Sequence, residues 1–133
     1  MTKKLRIIGV IPCRFQSSRF PGKPLAIIAN KPMMWHVYKK ALESNVLDEV
    51  YIATDDERIY KVATELQLSV IMTKNSHSTG TDRVAEVSEK VDADYYVNIQ
   101  GDEPLIDVDY IRKIVKEIVD STDTEIQVIN AYA

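Results

Sequence analysis

The sequence predicts an α/β fold of the Rossmann-like type, in which an open, mainly parallel sheet is covered by helices on both faces. Short apolar runs alternate along the chain with longer segments that are apolar only at helical spacing. Strict alternation of this kind is typical of parallel strands joined by right-handed helical crossovers. With 133 residues, 45% of them hydrophobic and 28% charged, the chain (residues 1–133) is expected to form a single globular domain.

Five strands are predicted from runs of apolar and β-branched residues. The first run, RIIGVIP, is almost entirely apolar, which is typical of a strand buried on both faces. The predicted strands cover residues 6–12, 49–53, 68–72, 94–99 and 125–130.

Four helices are predicted between these strands, over residues 31–45, 57–66, 79–91 and 107–119. The last is the clearest, because it is apolar at every third or fourth position behind Asp107, a good N-cap residue. The segments TDDE at 54–57 and TGTD at 79–82 fit capping boxes that open the second and third helices.

The predicted topology places the polar segments at one edge of the sheet. In open α/β sheets, ligands bind beyond the carboxyl ends of the strands. The segments that follow the first four predicted strands are residues 12–14, 54–56, 73–74 and 100–103. We therefore expect a binding site where these segments meet.

A long basic loop after the first predicted strand is one candidate site. Residues 12–30 include Arg14, Arg19 and Lys23 and contain no acidic residue. The charged groups can neutralise an anion, and small residues such as Ser17 let backbone N–H groups approach it. We interpret the loop as a triphosphate cradle. A solvated basic loop is the alternative, which the position at a strand's carboxyl end disfavours.

The segment QGDEP at 100–104 is a second candidate, because it directly follows a predicted buried strand. A carboxylate in this position suits Mg²⁺, which takes one or two protein carboxylates together with phosphate oxygens and water. Asp102 is the candidate ligand, whereas Glu103 is expected to act indirectly or to be structural. An acidic turn that binds no metal is the alternative.

The segment HSTGTDR at 77–83 is a third candidate. Its hydroxyl groups, its glycine and the start of a helix can form a polar pocket for a ribose or a base. Capping of the helix explains the same residues equally well.

Composition and missing motifs argue against several functional classes. Neither GxxxxGK[ST] nor GxGxxG occurs, which disfavours ordinary ATPases and nicotinamide dehydrogenases. A net charge of −3 argues against general nucleic-acid binding. No apolar run approaches the roughly 20 residues of a membrane span. Cys13 is the single cysteine, so no internal disulfide is possible and a cytoplasmic location is expected.

Other residues are weaker candidates for chemistry. His36 falls within a predicted apolar helix and is expected to be structural, while Met33 and Met34 are expected to lie in the core or an interface. Asp55 and Asp56 are expected to be charges at a helix start rather than metal ligands.

Taken together, the motifs resemble those of the 3-deoxy-manno-octulosonate (KDO) cytidylyltransferases, and they occur in that family's order. The matching segments are IPCRFQSSRFPGKPL at 11–25, KPM at 31–33, ATD at 53–55, HSTGTDR at 77–83 and VNIQGDEP at 97–104. A more distant similarity to acylneuraminate cytidylyltransferases is outweighed by the segments at 79–81 and 100–104. Thr79 departs mildly from the family, because serine is expected before the glycine.

The resemblance implies a sheet of the nucleotide-diphospho-sugar transferase type and a Mg²⁺-dependent reaction that converts CTP and KDO to CMP-KDO and pyrophosphate. This reaction serves lipopolysaccharide or capsule synthesis. The implied catalytic residues are Arg14, Arg19, Lys23, Gln100 and Asp102, of which Asp102 binds the metal. The implied CTP-binding residues are Arg14, Ser17, Arg19, Lys23, Lys74, Thr79, Gly80, Thr81 and Arg83.

The resemblance also implies that part of the family's protein lies beyond this chain. Family members continue well past the position of Ala133, and that part supplies much of the sugar pocket, a second metal-binding aspartate and the usual homodimer contacts. The expected partners are CTP and an acidic sugar, without nucleic acid or membrane. Two alternatives stay open: activation of a sialic-acid-like or amino-substituted sugar, and a CTP-binding module without turnover.

Overall fold

The computed structural model describes residues 5–15, 22–74, 80–100, 108–120 and 127–131. Within these ranges the strands are β1 (Ile7–Pro12), β2 (Ile27–Ile28), β3 (Lys31–Pro32), β4 (Glu49–Thr54), β5 (Val70–Met72), β6 (Tyr95–Ile99) and β7 (Gln127–Ala131). The helices are α1 (Met33–Glu43), α2 (Glu57–Glu65), α3 (Gly80–Lys90) and α4 (Val108–Asp120), and a 3₁₀ turn covers Lys23–Leu25. None of the helices described is both long and apolar enough to cross a membrane.

The predicted parallel sheet is confirmed. In the described part of the chain, five strands form one sheet in the order β5-β4-β1-β6-β7, and every adjacent pair is parallel. The chain runs outward from β1 through β4 to β5 and then crosses to the other side of β1. The strand order thus reverses beside β1, where ligands bind in sheets of this kind.

Helices cover both faces of the sheet, as predicted, but unequally. On one face, α1, α2 and α4 pack on a core that includes Ile11, Ile52 and Ile99, all fully buried. On the other face, α3 packs on a smaller core around Val10 and Tyr96. We call these the three-helix face and the α3 face. Most of the apolar burial that stabilises the domain lies on the three-helix face.

Two aspartates fix the start of the central strand. The Asp48 carboxylate accepts a 2.7 Å hydrogen bond from the Ile7 N–H, and the Asp48 N–H donates to the Ile7 carbonyl at 2.7 Å. Asp94 pairs with Arg6 in the same way, at 2.7 and 2.8 Å. Each aspartate precedes a strand that flanks β1, so the reciprocal bonds fix the register of both neighbours.

The end of the segment predicted as a loop at 12–30 contains a strand that the sequence did not predict, because β2 pairs antiparallel with β3 to form a short hairpin. The helix predicted from residue 31 therefore begins later, at Met33. The reason is local: Pro32 disfavours the helical region for the residue before it, which leaves Lys31 extended. Met33 and Met34 are buried in the core, as predicted, and the His36 Nε2 atom lies 2.6 Å from the Ile28 carbonyl oxygen.

The capping box predicted at 54–57 is wrong in its N-cap residue. Thr54 still belongs to β4, where it pairs with Met72, so the helix cannot begin there. Asp56 caps α2 instead, and its carboxylate accepts hydrogen bonds from the N–H groups of Arg58 and Ile59. The expectation that Asp56 is a charge at a helix start is thus confirmed, and the charge suits the positive end of the helix dipole.

Candidate active site at the carboxyl edge of the sheet

The ends of the parallel strands form one edge. Beyond the strands proper, the Cys13 N–H donates to the Ala53 carbonyl at 2.9 Å, and the Thr73 N–H donates to the Thr54 carbonyl at 2.8 Å. These bonds continue the pairing past the ends of β1 and β5, beside the last two residues of β4. Because β6 is also parallel to β1, the segments that begin with Arg14, Asp55, Lys74 and Gln100 follow the strands at one edge of the sheet, as predicted.

The basic loop after β1 is closed at its base. The Gly22 N–H donates to the Phe15 carbonyl at 2.6 Å, so the two described residues on either side of positions 16–21 are directly hydrogen-bonded. Gly22 has φ +74°, and a Cβ atom there would lie 2.9 Å from the Phe15 ring. A glycine is thus required both by the left-handed backbone and by the close ring. The closure places Arg14 and Lys23 beside the same loop base.

Two predicted residues of this loop, Ser17 and Arg19, lie outside the described residues, and so do Thr79 and Asp102. Of the others, Arg14 and Lys74 are exposed, while Lys23 and Gln100 are half-buried. Gly80 is the first residue of α3, and Thr81 follows it in the first turn. The structure thus brings Arg14, Lys74 and Gln100 to one edge, together with the start of α3.

The base of the loop is also contacted from α2. The Arg58 guanidinium carbon lies 3.2 Å from the centroid of the Phe15 ring. The same guanidinium binds the Asp56 carboxylate through two hydrogen bonds of 2.7 and 3.1 Å. These bonds, with the two N–H groups that Asp56 caps, hold the pKa of its carboxyl below the usual value. Sequence analysis missed this contact, because Phe15 and Arg58 are far apart in the chain and share no motif.

Arg83 is buried rather than open to the edge, with 1% of its surface exposed. Its guanidinium donates to the Thr73 hydroxyl and, at 3.4 Å, to the Lys74 carbonyl, and it pairs with Asp55 at 3.6 Å. Among the described residues, its Nε–H has no hydrogen-bond acceptor. Arg83 therefore ties the start of α3 to the ends of β4 and β5, and its predicted role in a nucleoside pocket stays a prediction.

Glu86, one turn further along α3, supports the same strand end. Its carboxylate accepts a 2.9 Å hydrogen bond from the Lys74 N–H and pairs with Lys90 at 2.9 Å. A cleft of about 230 Å³ beside it is lined by Lys74, Asp82, Ala85, Glu86 and Glu89. Three carboxylates against one ammonium group disfavour a phosphate in this cleft. The basic loop remains the better place for phosphates.

Two described carboxylates near the carboxyl edge of the sheet are already paired with arginines. Asp55 is engaged by Arg83 and Asp56 by Arg58. Within the described ranges, no group of three or more histidine, cysteine or acidic residues could hold a metal ion. The prediction that Asp102 binds Mg²⁺ is untested by these observations.

Comparison with known proteins supports a nucleotidyltransferase fold. A family model for cytidylyltransferases matches residues 8–132. A solved CMP:2-keto-3-deoxy-manno-octonic acid synthetase, complexed with CTP, superposes with a TM-score of 0.85 at 45% identity, covering 87% of this chain and 48% of that chain. A cytidylyltransferase from Leptospira borgpetersenii, at 20% identity and a TM-score of 0.77, shares the fold over 90% of this chain and 51% of its own.

Two curated relatives are 3-deoxy-manno-octulosonate cytidylyltransferases. The relative from Solibacter usitatus is 52% identical over 118 residues, which cover 89% of this chain and 47% of the relative. The relative from Escherichia coli is 53% identical over 101 residues, which cover 76% of this chain and 41% of the relative. The chain thus spans about half the length of the curated relatives it matches.

Proposed function

Because this chain belongs to the cytidylyltransferase family, we propose that its carboxyl edge binds CTP and forms part of an active site that transfers CMP to KDO. The observation that carries this proposal is the hydrogen-bonded base of the basic loop at the end of β1, beside the point where the strand order reverses. The identity of 45% to a structure complexed with CTP supports the choice of nucleotide.

The proposed reaction is an in-line displacement at phosphorus. The anomeric hydroxyl oxygen of KDO attacks the α-phosphorus of CTP, and the bond from that phosphorus to the bridging oxygen breaks. The electron pair of the broken bond leaves with pyrophosphate, and the hydroxyl proton goes to solvent, since no proposed site residue is a dedicated base. Catalysis of such a step rests mainly on positioning and on neutralising charge.

Three cations of the basic loop are proposed to hold the phosphates. Arg14 and Lys23 flank the closed base of the loop, and Arg19 lies in the segment between its ends. Their charge would also stabilise the leaving pyrophosphate, whose negative charge grows in the transition state. Ser17 would contribute a hydroxyl or backbone contact to the same phosphates. Gln100, at the end of β6, is proposed to meet the sugar.

Asp102 is proposed to hold Mg²⁺, which would supply Lewis-acid charge at the phosphates when bound. The position fits this role, because Asp102 follows the end of β6 by only three residues. The fit is strengthened by the engagement of Asp55 and Asp56 elsewhere, since these carboxylates already serve arginines of the protein.

The start of α3 is proposed to bind the nucleoside. Thr79, Gly80 and Thr81 precede or open the helix, where backbone N–H groups have no partner within the helix. Arg83 would act on this pocket from behind, by holding α3 against the strand ends. Lys74, held by both Arg83 and Glu86 through its backbone, would lie at the side of the pocket.

We further propose that residues 1–133 form one CTP-binding domain and that sequence corresponding to the rest of the relatives' length supplies sugar and homodimer contacts. Cytoplasmic location and a role in lipopolysaccharide or capsule synthesis follow from the KDO proposal. The coverage of about half of each relative favours one alternative function, a module that binds CTP without turnover.

The experiment that tests the proposal is a calorimetric titration with CTP, ATP and GTP, each with Mg²⁺, beside a pyrophosphate-release assay with KDO. We expect CTP to bind most tightly and, at a hundredfold excess over Kd, to stabilise the fold by about 2.7 kcal/mol. Equal affinity for all three nucleotides would contradict a CTP site. CTP binding without pyrophosphate release would support the binding module.

A further inference from the structure

The contact between α2 and the base of the basic loop has no role in the function proposed so far. Arg58 lies over the face of the Phe15 ring, 3.2 Å from its centroid, and Gly22 lies against one side of the same ring. The α2 helix also contacts the 3₁₀ turn that follows Gly22. The Phe15 ring is thus contacted from two sides, next to the hydrogen bond that joins Phe15 to Gly22.

Arg58 is itself held in place. Its guanidinium makes two hydrogen bonds to Asp56, and Asp56 is fixed by capping the N–H groups of residues 58 and 59. A planar guanidinium can stack on a ring and bind a carboxylate in the same plane, which an ammonium group cannot do. The position of Phe15 is therefore coupled to the start of α2 rather than to the loop alone.

We propose that Arg58 is a positioning residue for triphosphate binding: through Phe15, it holds the loop base in the geometry that directs Arg14 and Lys23 towards the β- and γ-phosphates. The inference rests on the proposed CTP function and deepens it. Arg58 acts through Phe15 and makes no contact with the nucleotide. Loss of the clamp formed by Arg58, Phe15 and Asp56 frees the loop base, so ordering it again opposes binding of the phosphates.

The test compares CTP with CMP, which lacks the β- and γ-phosphates, in titrations without added metal. We expect Arg58→Ala to weaken CTP binding by about threefold to tenfold and to change CMP binding by less than about twofold. Arg58→Lys keeps the cation but not the planar fork, so it should restore only part of the CTP affinity. A purely structural role would weaken both nucleotides equally.

Lys61→Ala is the matched control, because it removes one positive charge from an exposed position on the same helix. It should leave the ratio of CTP to CMP affinity unchanged. Phe15→Leu removes the ring but keeps Arg58, so it should reproduce the loss. The double variant Phe15→Leu/Arg58→Ala should lose no more than either single variant, as expected for residues that act as one unit.

Each outcome is decisive. An unchanged ratio of CTP to CMP affinity in folded Arg58→Ala, or in Phe15→Leu if the first variant does not fold, overturns the inference. An equal loss in Lys61→Ala overturns it too, because long-range charge would then explain the effect. If the wild-type chain fails to bind CTP at all, the proposed function is wrong and the inference falls with it.

Discussion

The two faces of the sheet bury different kinds of side chain. On the three-helix face, the side chains buried on α1, α2 and α4 within the described ranges are apolar or aromatic, as with Met34 and Ile111. On α3, Arg83 and Glu86 are 1% and 6% exposed, and both bind the strand end at Thr73 and Lys74. Apolar burial stabilises a fold with little directional preference, whereas buried polar contacts fix particular atoms. The comparison indicates that the three-helix face mainly stabilises the fold, whereas the α3 face mainly positions residues of the candidate site.

The largest effect is expected on the three-helix face. Ile52 is fully buried in the core of that face, so Ile52→Ala should reduce the free energy of unfolding by about 2–5 kcal/mol. Urea unfolding measures the loss. The affinity of the folded variant for CTP should stay within about twofold of the wild type. A large loss of affinity in the folded variant would break the proposed division between the faces.

A smaller effect on stability but a larger one on binding is expected on the α3 face. Arg83→Met leaves Asp55 without its buried partner, but Asp55 is 23% exposed and can be hydrated in part. We expect a loss of about 1–3 kcal/mol in the free energy of unfolding. CTP affinity should fall about tenfold, because Thr73 and Lys74 lose their support.

Arg83→Lys is the control for this variant. Lysine keeps the charge but lacks the planar guanidinium that reaches three groups at once. Relative to Arg83→Met, it should therefore restore more of the free energy of unfolding than of the affinity for CTP. If Arg83→Met binds CTP as well as the wild type does, the α3 face has no special role in the site.

Gly22→Ala tests the loop base, where both conditions for a glycine meet. The substitution forces a Cβ atom into a backbone with φ +74° and to within 2.9 Å of the Phe15 ring. We expect a loss of about 1–2 kcal/mol in the free energy of unfolding. Thermal unfolding measures it, and Ala26→Gly in the same loop is a control for flexibility. Unchanged stability would mean that neither the left-handed backbone nor the Phe15 ring opposes a Cβ atom at this position.

The smallest effect concerns pH. The pKa of Asp56 is lowered mainly by its hydrogen bonds to the Arg58 side chain, so its carboxylate stabilises the fold. Because the folded pKa lies below the ordinary 3.8, this stabilisation is present above about pH 4 and is lost as pH falls through the lower folded value. Asp56→Asn keeps a good cap but no charge.

The Asp56→Asn variant should therefore lose less stability than the wild type between about pH 4 and pH 2, with a difference below about 1 kcal/mol. Urea unfolding at several pH values measures this difference. Parallel pH profiles for the two proteins would contradict the assignment.

Sequence patterns predicted the order and type of the main elements because these depend on local chemistry. The apolar run at β1 and the helical spacing of α4 are visible in any window of the chain. The boundaries of the elements were less predictable. Strand β5 begins at Val70 rather than at residue 68, because the Leu68 N–H donates to the Ala63 carbonyl at the end of α2. A short hairpin such as β2–β3 has too few residues to show the alternation of apolar and polar residues that predicts a strand.

The candidate site was predictable only in part. Motifs placed Arg14 and Gln100 at the carboxyl edge of the sheet, because the carboxyl ends of parallel strands share one edge. The clamp of Phe15 by Arg58 and the burial of Arg83 depend on pairs far apart in sequence, which only the folded chain brings together. Nothing in the local sequence distinguishes a buried arginine from one that faces a ligand.

The reciprocal bonds at the start of β1 join segments that leave the ribosome at different times during synthesis of the chain. Asp48 and Asp94 meet the start of β1 across 41 and 88 residues of chain. The central strand β1 precedes the other described strands in the chain, so it leaves the ribosome well before its neighbour β6. At about 5–20 residues per second, roughly 4–18 s pass before β1 can be paired on both sides. Until then, one edge of β1 lacks its neighbour, and its unpaired N–H and carbonyl groups can pair with other strands.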